Sequence, residues 1–361
     1  GRIDFDSCDF ISLEDHEKCI KRVKPQRDDI LMANIGASIG DCARVIDDRE
    51  FSIKNVALLR PDSEKVDPSY FYQLVKSQLF QSRLMNLRLG AAQPYVSLEA
   101  LRRFELPVVK DLQSQRKIGE VFDSYDGLIE NNRRRIALLE QAARLLYREW
   151  FAHFRFPGHE AAKFVDGLPE GWENSTVFDA VDILSGGTPK TDNADYWGDQ
   201  IPFFTPKDTG EFVYVNDTEK MITEAGLKNC NSRLYEKDTL FITARGTVGK
   251  LRLAQRPMAM NQSCYALRSK CKLSQHHLYF AISDRVNHLK GQAGGAVFAA
   301  IVVDTFKKIP LVIPSDRVAE DFARFASKAL SQIDVLTRQN AQLIRARDFL
   351  LPRLMDGRIP V

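Results

Sequence analysis

Asp29-Ile-Leu-Met-Ala-Asn-Ile-Gly-Ala-Ser-Ile-Gly40 returns in altered form as Asp238-Thr-Leu-Phe-Ile-Thr-Ala-Arg-Gly-Thr-Val-Gly249. Leu31 and Leu240 lie 209 residues apart, as do Gly40 and Gly249, and Ala57-Leu58 matches Ala266-Leu267 at the same spacing. Further on, Ile129, Leu139, Ala142 and Leu146 match Ile333, Leu343, Ala346 and Leu350 at a spacing of 204. A period this long means a duplicated domain, because solenoid units run to only about 20–50 residues. Each copy reads as a β-rich, loop-rich module followed by one long helix. The fold class expected is α+β: two similar β-rich modules separated by two long helices that pair as an antiparallel coiled coil.

The helices are legible from their spacing. Residues 114–151 contain no Pro, and Ile118, Phe122, Tyr125, Ile129, Asn132, Ile136, Leu139, Ala143, Leu146 and Trp150 follow a 4-3 heptad seam. Residues 316–356 repeat it through Phe322, Ala326, Ala329, Ile333, Leu336, Asn340, Leu343, Arg347, Leu350 and Leu354. At 1.5 Å per residue each helix is about 50–60 Å long. Neither apolar seam is stable in water alone, so each needs the other. Pairing the first layer with the last sets Asn132 opposite Asn340, Tyr125 opposite Arg347, Ala143 opposite Ala329 and Trp150 opposite Phe322. The two seam asparagines then meet, a polar layer of the kind that fixes register at some cost in stability. Frayed or solvated asparagines are the plainer alternative.

The domains read as 1–110 (first module, short at its start), 111–152 (central helix), 153–170 (linker), 171–314 (second module) and 315–361 (C-terminal helix). In the second module strands are expected at Val177–Leu184, Thr239–Thr243, Lys250–Ala254 and Cys264–Leu267, with helices near Glu219–Ala225 and Gln275–His288. The first module has counterparts at Asp29–Ala33, Ala43–Ile46, Asn55–Leu59 and Pro68–Arg83. Gly1-Arg-Ile-Asp-Phe-Asp6 matches Gly210-Glu-Phe-Val-Tyr-Val215, and nothing precedes it to match 171–209. Either the chain is clipped there or the first module is incomplete.

Composition narrows the function. Net charge is only +3, with 44% hydrophobic and 27% charged residues, as in an ordinary globular protein. No run of about 18 apolar residues exists, so no membrane span is expected. No signal peptide is visible, although the chain starts at Gly1, and a cytoplasmic location is the reading. The six Cys form no C-x-x-C pair and the adjacent His276-His277 point to different sides, so reduced thiols and no metal site are expected. Basic clusters at Lys21-Arg-Val-Lys24 with Arg27, at Arg102-Arg103 and at Arg133-Arg-Arg135 are, taken singly, solvated surface. A basic face matters more than a basic average.

The chemistry sits in loops. Ser185-Gly-Gly-Thr-Pro-Lys190, Tyr196-Trp-Gly198 and Ile201-Pro-Phe-Phe-Thr-Pro-Lys-Asp208 form a dense string, followed later by Arg245-Gly-Thr-Val-Gly249. Tight turns of this kind present backbone N–H groups, hydroxyls and single cations, which suits phosphate or base-edge contact. In the first module Gly90-Ala-Ala-Gln-Pro-Tyr-Val-Ser97 is comparable, and Gln93 is able to bond adenine in bidentate fashion. With Leu168-Pro-Glu-Gly-Trp172 and Leu350-Leu-Pro-Arg-Leu-Met-Asp-Gly357, these strings resemble the specificity (S) subunit of type I restriction-modification enzymes over essentially the whole chain.

That resemblance implies two target recognition domains, each reading one half of a split, asymmetric site in double-stranded DNA. It implies a helical spacer that sets the gap and docks two modification (methyltransferase) subunits, to which restriction subunits bind. S-adenosylmethionine, ATP and Mg would belong to those partners, and this chain would carry no cofactor. Two departures stand out: Gly294-Gly-Ala-Val-Phe298 replaces the Gln93 loop in the second module, and the first module lacks the Gly-Gly-Thr-Pro string. Lys190, Lys207, Arg245, Lys24, Arg27 and Arg44 are the candidates for phosphate or base contact, with Thr188, Thr205, Asn34 and Gln93 for finer readout. An autonomous methyltransferase is disfavoured, since no Pro-Pro dipeptide supplies its catalytic loop and no catalytic constellation stands out. The alternative is a coiled-coil scaffold that binds only protein.

Overall fold

The computed structural model of the chain describes residues 3–5, 7–90, 94–210, 212–292, 300–355 and 358–359, without the side chains of 287–292. The chain divides into two units, one of Gly1–Asn131 with Asn340–Val361 and one of Asn132–Gln339. Each unit holds one β-rich module and one stretch of both long helices, which span Leu112–Phe151 and Asp316–Met355.

Within each unit the helices pair antiparallel, as the seams require. In the first, Ile118 and Phe122 share a cluster with Leu351 and Leu354, and Arg347 binds Asp126 at 2.7 Å. In the second, the Phe322 ring lies 6.0 Å from Trp150, 5.7 Å from Tyr147 and 5.1 Å from Phe151. Ala143 and Ala329 are buried in that same cluster. Two details differ from a strict heptad. Arg347 pairs with Asp126 and Asp348, not with Tyr125, because a guanidinium at the seam edge reaches the neighbouring carboxylate. Burial alone would raise the Asp126 carboxyl, but Lys76 and Arg347 outweigh it and hold it below the usual carboxylate range. Beyond Ala143 the fully buried positions step by four, to Tyr147 and Phe151, leaving Leu146 and Trp150 half-buried. A straight helix drifts about 20° per heptad from a 3.5 repeat, and here the drift turns the last two turns toward the module core. Asn132 and Asn340 fall on either side of the division between units, and each is buried. The Asn340 amide donates to the Ile129 carbonyl at 3.2 Å.

The first module is a three-stranded antiparallel sheet, Cys42–Arg44, Ile30–Ala33 and Val56–Leu59 in that order. Helices Pro68–Lys76 and Gln78–Asn86 pack beside it. The expected single helix 68–83 is broken because Ser77 is extended and its hydroxyl caps the second helix at Phe80 N. The second module repeats this sheet as Leu251–Ala254, Leu240–Thr243 and Cys264–Ser269, then adds Val181–Ser185 on the outer side and Tyr214–Val215 on the other. Among the described residues strand Val56–Leu59 pairs on one side only, whereas its counterpart pairs on both.

A second sheet of Lys220–Ile222, Trp197–Phe204 and Ala259–Met260 lies in the same module. The expected strand Val177–Leu184 is interrupted, because Thr176 caps a helical turn at Val177–Ala180 before the strand begins at Val181. The helix expected at Glu219–Ala225 starts later, at Glu224, after a strand that pairs with Trp197–Phe204.

The duplication is real but not at one spacing. Asp28 and Asp238 share a left-handed backbone, φ 71° and 65°, and donate to Val45 and Ala254 carbonyls at 2.8 Å each. Asp28, not Asp29, is therefore the counterpart of Asp238, an offset of 210, while Val45 and Ala254 keep 209. The turn closed by Gly40 N to Ala33 O is one residue longer than that closed by Gly249 N to Thr243 O. Matching Gly40 to Gly249 hides that residue in a gapless comparison.

Candidate nucleic-acid interface

One turn gathers the functional loops of the second module. Asn261-Gln-Ser263 connects Ala259–Met260 to Cys264–Ser269, and three other loops hang on it. Gly187 N donates to Met260 O at 3.1 Å, Asn261 N to Phe204 O at 3.0 Å, and Ala244 N to Ser263 O at 2.8 Å. The glycines of the Gly-Gly-Thr-Pro string are fixed by space. A Cβ on Gly186 would lie 2.2 Å from the Asn261 carbonyl oxygen, and one on Gly187 would lie 2.6 Å from the Asn231 nitrogen. Gly246 stands at φ 75°, open to glycine without strain, with Pro206 beside it. The strings around Thr188, Lys207 and Arg245 thus meet at one end of the module.

What each side chain does there is uneven. Arg245 is exposed and makes no ion pair among the described residues; Lys190 is likewise exposed, and its carbonyl accepts the Trp197 indole N–H at 3.1 Å. Lys207 is exposed with Glu219 at 3.6 Å. Thr188 donates to the amide oxygen of Gln262, an exposed residue that the sequence reading passed over. Its only signal was its place between two strands, next to Asn261. Thr205 is committed to structure: its hydroxyl donates to Asp208 at 2.7 Å and accepts from Lys207 N in a capping box. It is not a free reader. A shallow groove lined by Thr191, Trp197, Gly198, Glu219, Lys220 and Met221 lies alongside, with the Lys220 ammonium 5.3 Å from the Trp197 ring centre.

The first module arranges its candidates differently. Asn34 follows the end of strand Ile30–Ala33, at the position of Ala244, and is tied down: its amide donates to the Val96 carbonyl at 3.0 Å and its own carbonyl accepts Val96 N at 2.8 Å. Ile301 N meets Ala244 O in the same way at 2.9 Å. Ile35 then occupies the Arg245 position, half open to solvent near exposed Leu89 and Tyr95. Lys24, Arg27 and Arg44 lie at the opposite end of the sheet, where Arg44 is registered against Ile30. Lys24 pairs with Glu50 and Arg27 grips Asp48 at 3.1 and 3.2 Å. Arg44 is held by Ser69 at 2.6 Å and Asp123 at 3.2 Å, so its guanidinium is committed within the module. Gln93 lies outside the described residues, as do 294–298 of the matching loop.

Among the described residues no group of three or more His, Cys, Asp or Glu is placed to hold a metal, and no helix is long and apolar enough to cross a membrane. His276 and His277 do part company. His276 reaches Ser327 at 2.9 Å, while His277 is fully buried among Tyr147, Phe151 and Phe322.

A duplicated module carrying exposed cations and amides on tight turns, mounted on paired helices, is a two-headed recognition protein. The family described as type I restriction modification DNA specificity domain matches residues 7–141 and 169–345, and the chain belongs to it. It is 29% identical over 177 residues to the type I restriction enzyme MjaIX specificity subunit of Methanocaldococcus jannaschii, a match covering 48% of this chain and 41% of that protein. With the HindI specificity subunit of Haemophilus influenzae it shares 21% over 367 residues, covering 84% of this chain and 80% of that protein. The crystal structure of a type I restriction-modification system S subunit from M. genitalium has the same fold, with a TM-score of 0.58 at 17% identity over 91% of this chain and 83% of that one.

Proposed function

We propose that the chain is the non-catalytic specificity subunit of a type I restriction-modification complex and reads a bipartite, asymmetric site in double-stranded DNA. The observation that carries this reading is the turn cluster of the second module. There the loops that carry Arg245, Lys190 and Lys207 meet the turn of Gln262, whose amide oxygen accepts from Thr188. Cations suit phosphates, and a fixed carboxamide suits the donor–acceptor edge of adenine. Among the described residues the corresponding end of the first module offers Ile35, Leu89 and Tyr95 where the second has Arg245, a difference that suits half-sites of different sequence.

The long helices set the gap, with Asn132 and Asn340 as register positions, and their outward apolar residues Leu128, Leu138 and Leu145 are exposed. These suit docking of two modification subunits, with restriction subunits joining the resulting complex in the cytoplasm. S-adenosylmethionine, ATP and Mg belong to those subunits.

Duplex binding by the chain complexed with its modification subunits tests the reading. Affinity should fall steeply with salt, with a log–log slope of about −0.9 per phosphate neutralised, and selection from random duplexes should return two unlike half-sites. A flat salt response and no consensus would instead describe a protein scaffold.

A further inference from the structure

A polar stripe on the first long helix, separate from its apolar seam, faces the first module. It runs Gln115, Gly119, Asp123, Asp126, at steps of four, four and three. Gln115, 1% exposed, accepts Asp67 N at 2.8 Å and donates to Val109 O at 2.6 Å. Gly119 lets the start of helix Pro68–Lys76 come close, since a Cβ there would stand 2.8 Å from both Asp67 Oδ1 and Ser69 Cβ. Asp123 accepts from Ser69 at 2.7 Å and from Arg44 of the sheet at 3.2 Å. Asp126 accepts from Gln73 at 3.0 Å and Lys76 at 3.3 Å. The long helix is thereby hydrogen-bonded to the first module at three levels, with Gly119 giving close approach between the first two, and the sheet joins at one of them through Arg44.

The second module is tied to its own long helix by different residues, one of them at an equivalent position. Ser327, which stands 204 residues after Asp123, bonds His276, which stands 207 after Ser69, at 2.9 Å. His276 also faces Asp238, the counterpart of Asp28, at 3.5 Å, and Tyr214 joins them. One heptad further along, Asp334 is 3% exposed and takes Lys237 at 2.9 Å, Arg338 at 3.1 Å and the Gln255 amide. Asp123 and Ser327, at equivalent positions, are thus both polar and both bonded to their own module, whereas Asp334 is equivalent to Glu130 and is a second polar anchor particular to this half.

Apolar packing alone would hold each module on its helix at less cost, because buried charges lose hydration that pairing repays only in good geometry. What charged hydrogen bonds add is direction: an apolar face tolerates a sliding neighbour, a two-point carboxylate contact does not. We propose that Gln115, Asp123 and Asp126 in one half, and Ser327 and Asp334 in the other, are positioning residues that fix the heading of each recognition module on its own helix, and so the gap between half-sites that the protein accepts. This rests on the DNA-reading function above.

The test is selection from random duplexes by the chain in complex with its modification subunits, scoring half-site sequence and gap length separately. Asp123→Asn with Asp126→Asn should keep both half-site sequences and lower the preference for the native gap over its one-base-pair neighbours about fivefold, worth about 1 kcal/mol. Asp123→Glu, which keeps the charge but lengthens the arm, should shift the preferred gap rather than broaden it. Should the double variant not fold, Asp334→Asn carries the same test from the other half. An unchanged gap preference in folded variants, or loss of a half-site sequence together with the gap, would overturn the assignment. If the unaltered complex selects no bipartite sequence at all, the failure lies with the function and not with the stripes.

Discussion

Arg245 lies just past a short strand and Arg44 ends one, yet only Arg245 is open to solvent. Arg44 is 17% exposed and bound on two sides, whereas Arg245 is open. Replacing Arg245 with Ala is expected to relax or weaken recognition of one half-site only, by about 1–3 kcal/mol if it contacts a base. Gln262→Ala should relax a single base-pair position within that same half-site, by a similar amount. Base-by-base competition binding checks both, and equal loss in the two half-sites would contradict the modular assignment.

His277 makes a different kind of prediction. Neither ring nitrogen has a hydrogen-bond partner among the described residues, and burial lowers its pKa to about 3. The unfolded chain binds a proton near the ordinary value of about 6.5 while the folded chain does not. Folding stability is thus unaffected by this group above that value and falls as pH drops below it, by about 1.4 kcal/mol per pH unit down to about pH 3. His277→Leu should remove that slope with little change at pH 8. Denaturant melts between pH 4 and 8 would show it, and an unaltered slope would place the acid sensitivity elsewhere.

Elements divide into those set locally and those set by neighbours. The long helices were readable to within a few residues because a 4-3 pattern lasting several heptads leaves no competing structure. Short elements were not: the Ser77 break, the helical turn at Val177–Ala180 and the late start at Glu224 depend on which hydroxyl finds an amide to cap. At the seam, Asn340 is buried and spends one amide hydrogen on Ile129. Asn340→Leu should therefore cost stability, by about 1 kcal/mol for each hydrogen bond lost, offset in part by the apolar burial the leucine recovers. Thermal melts decide it; an unchanged or raised melting temperature would mean that the buried amide does not hold the seam.

For the whole molecule, the duplicated sequence dictates two heads and two rods. Inserting seven residues in each long helix, at the same level, preserves seam and rotation to within about 20° while lengthening the spacer by about 10 Å. The preferred gap between half-sites should lengthen by about three base pairs at 3.4 Å each, with both half-site sequences kept. Methylation mapping of duplexes with graded gaps would test it, and an unmoved preference would show that the rods do not set the spacing.

The sequence by itself determined the duplication, the helical seams, the sheet at the heart of each module and the family. All of these rest on patterns repeated along the chain. Tertiary structure alone decided which candidates are exposed and which are already paired. Arg44 and Asp123 are 79 positions apart, Lys24 and Glu50 26, and Thr188 and Gln262 74. Pairing of charges and amides at such separations is a property of folded distance, and no local pattern encodes it.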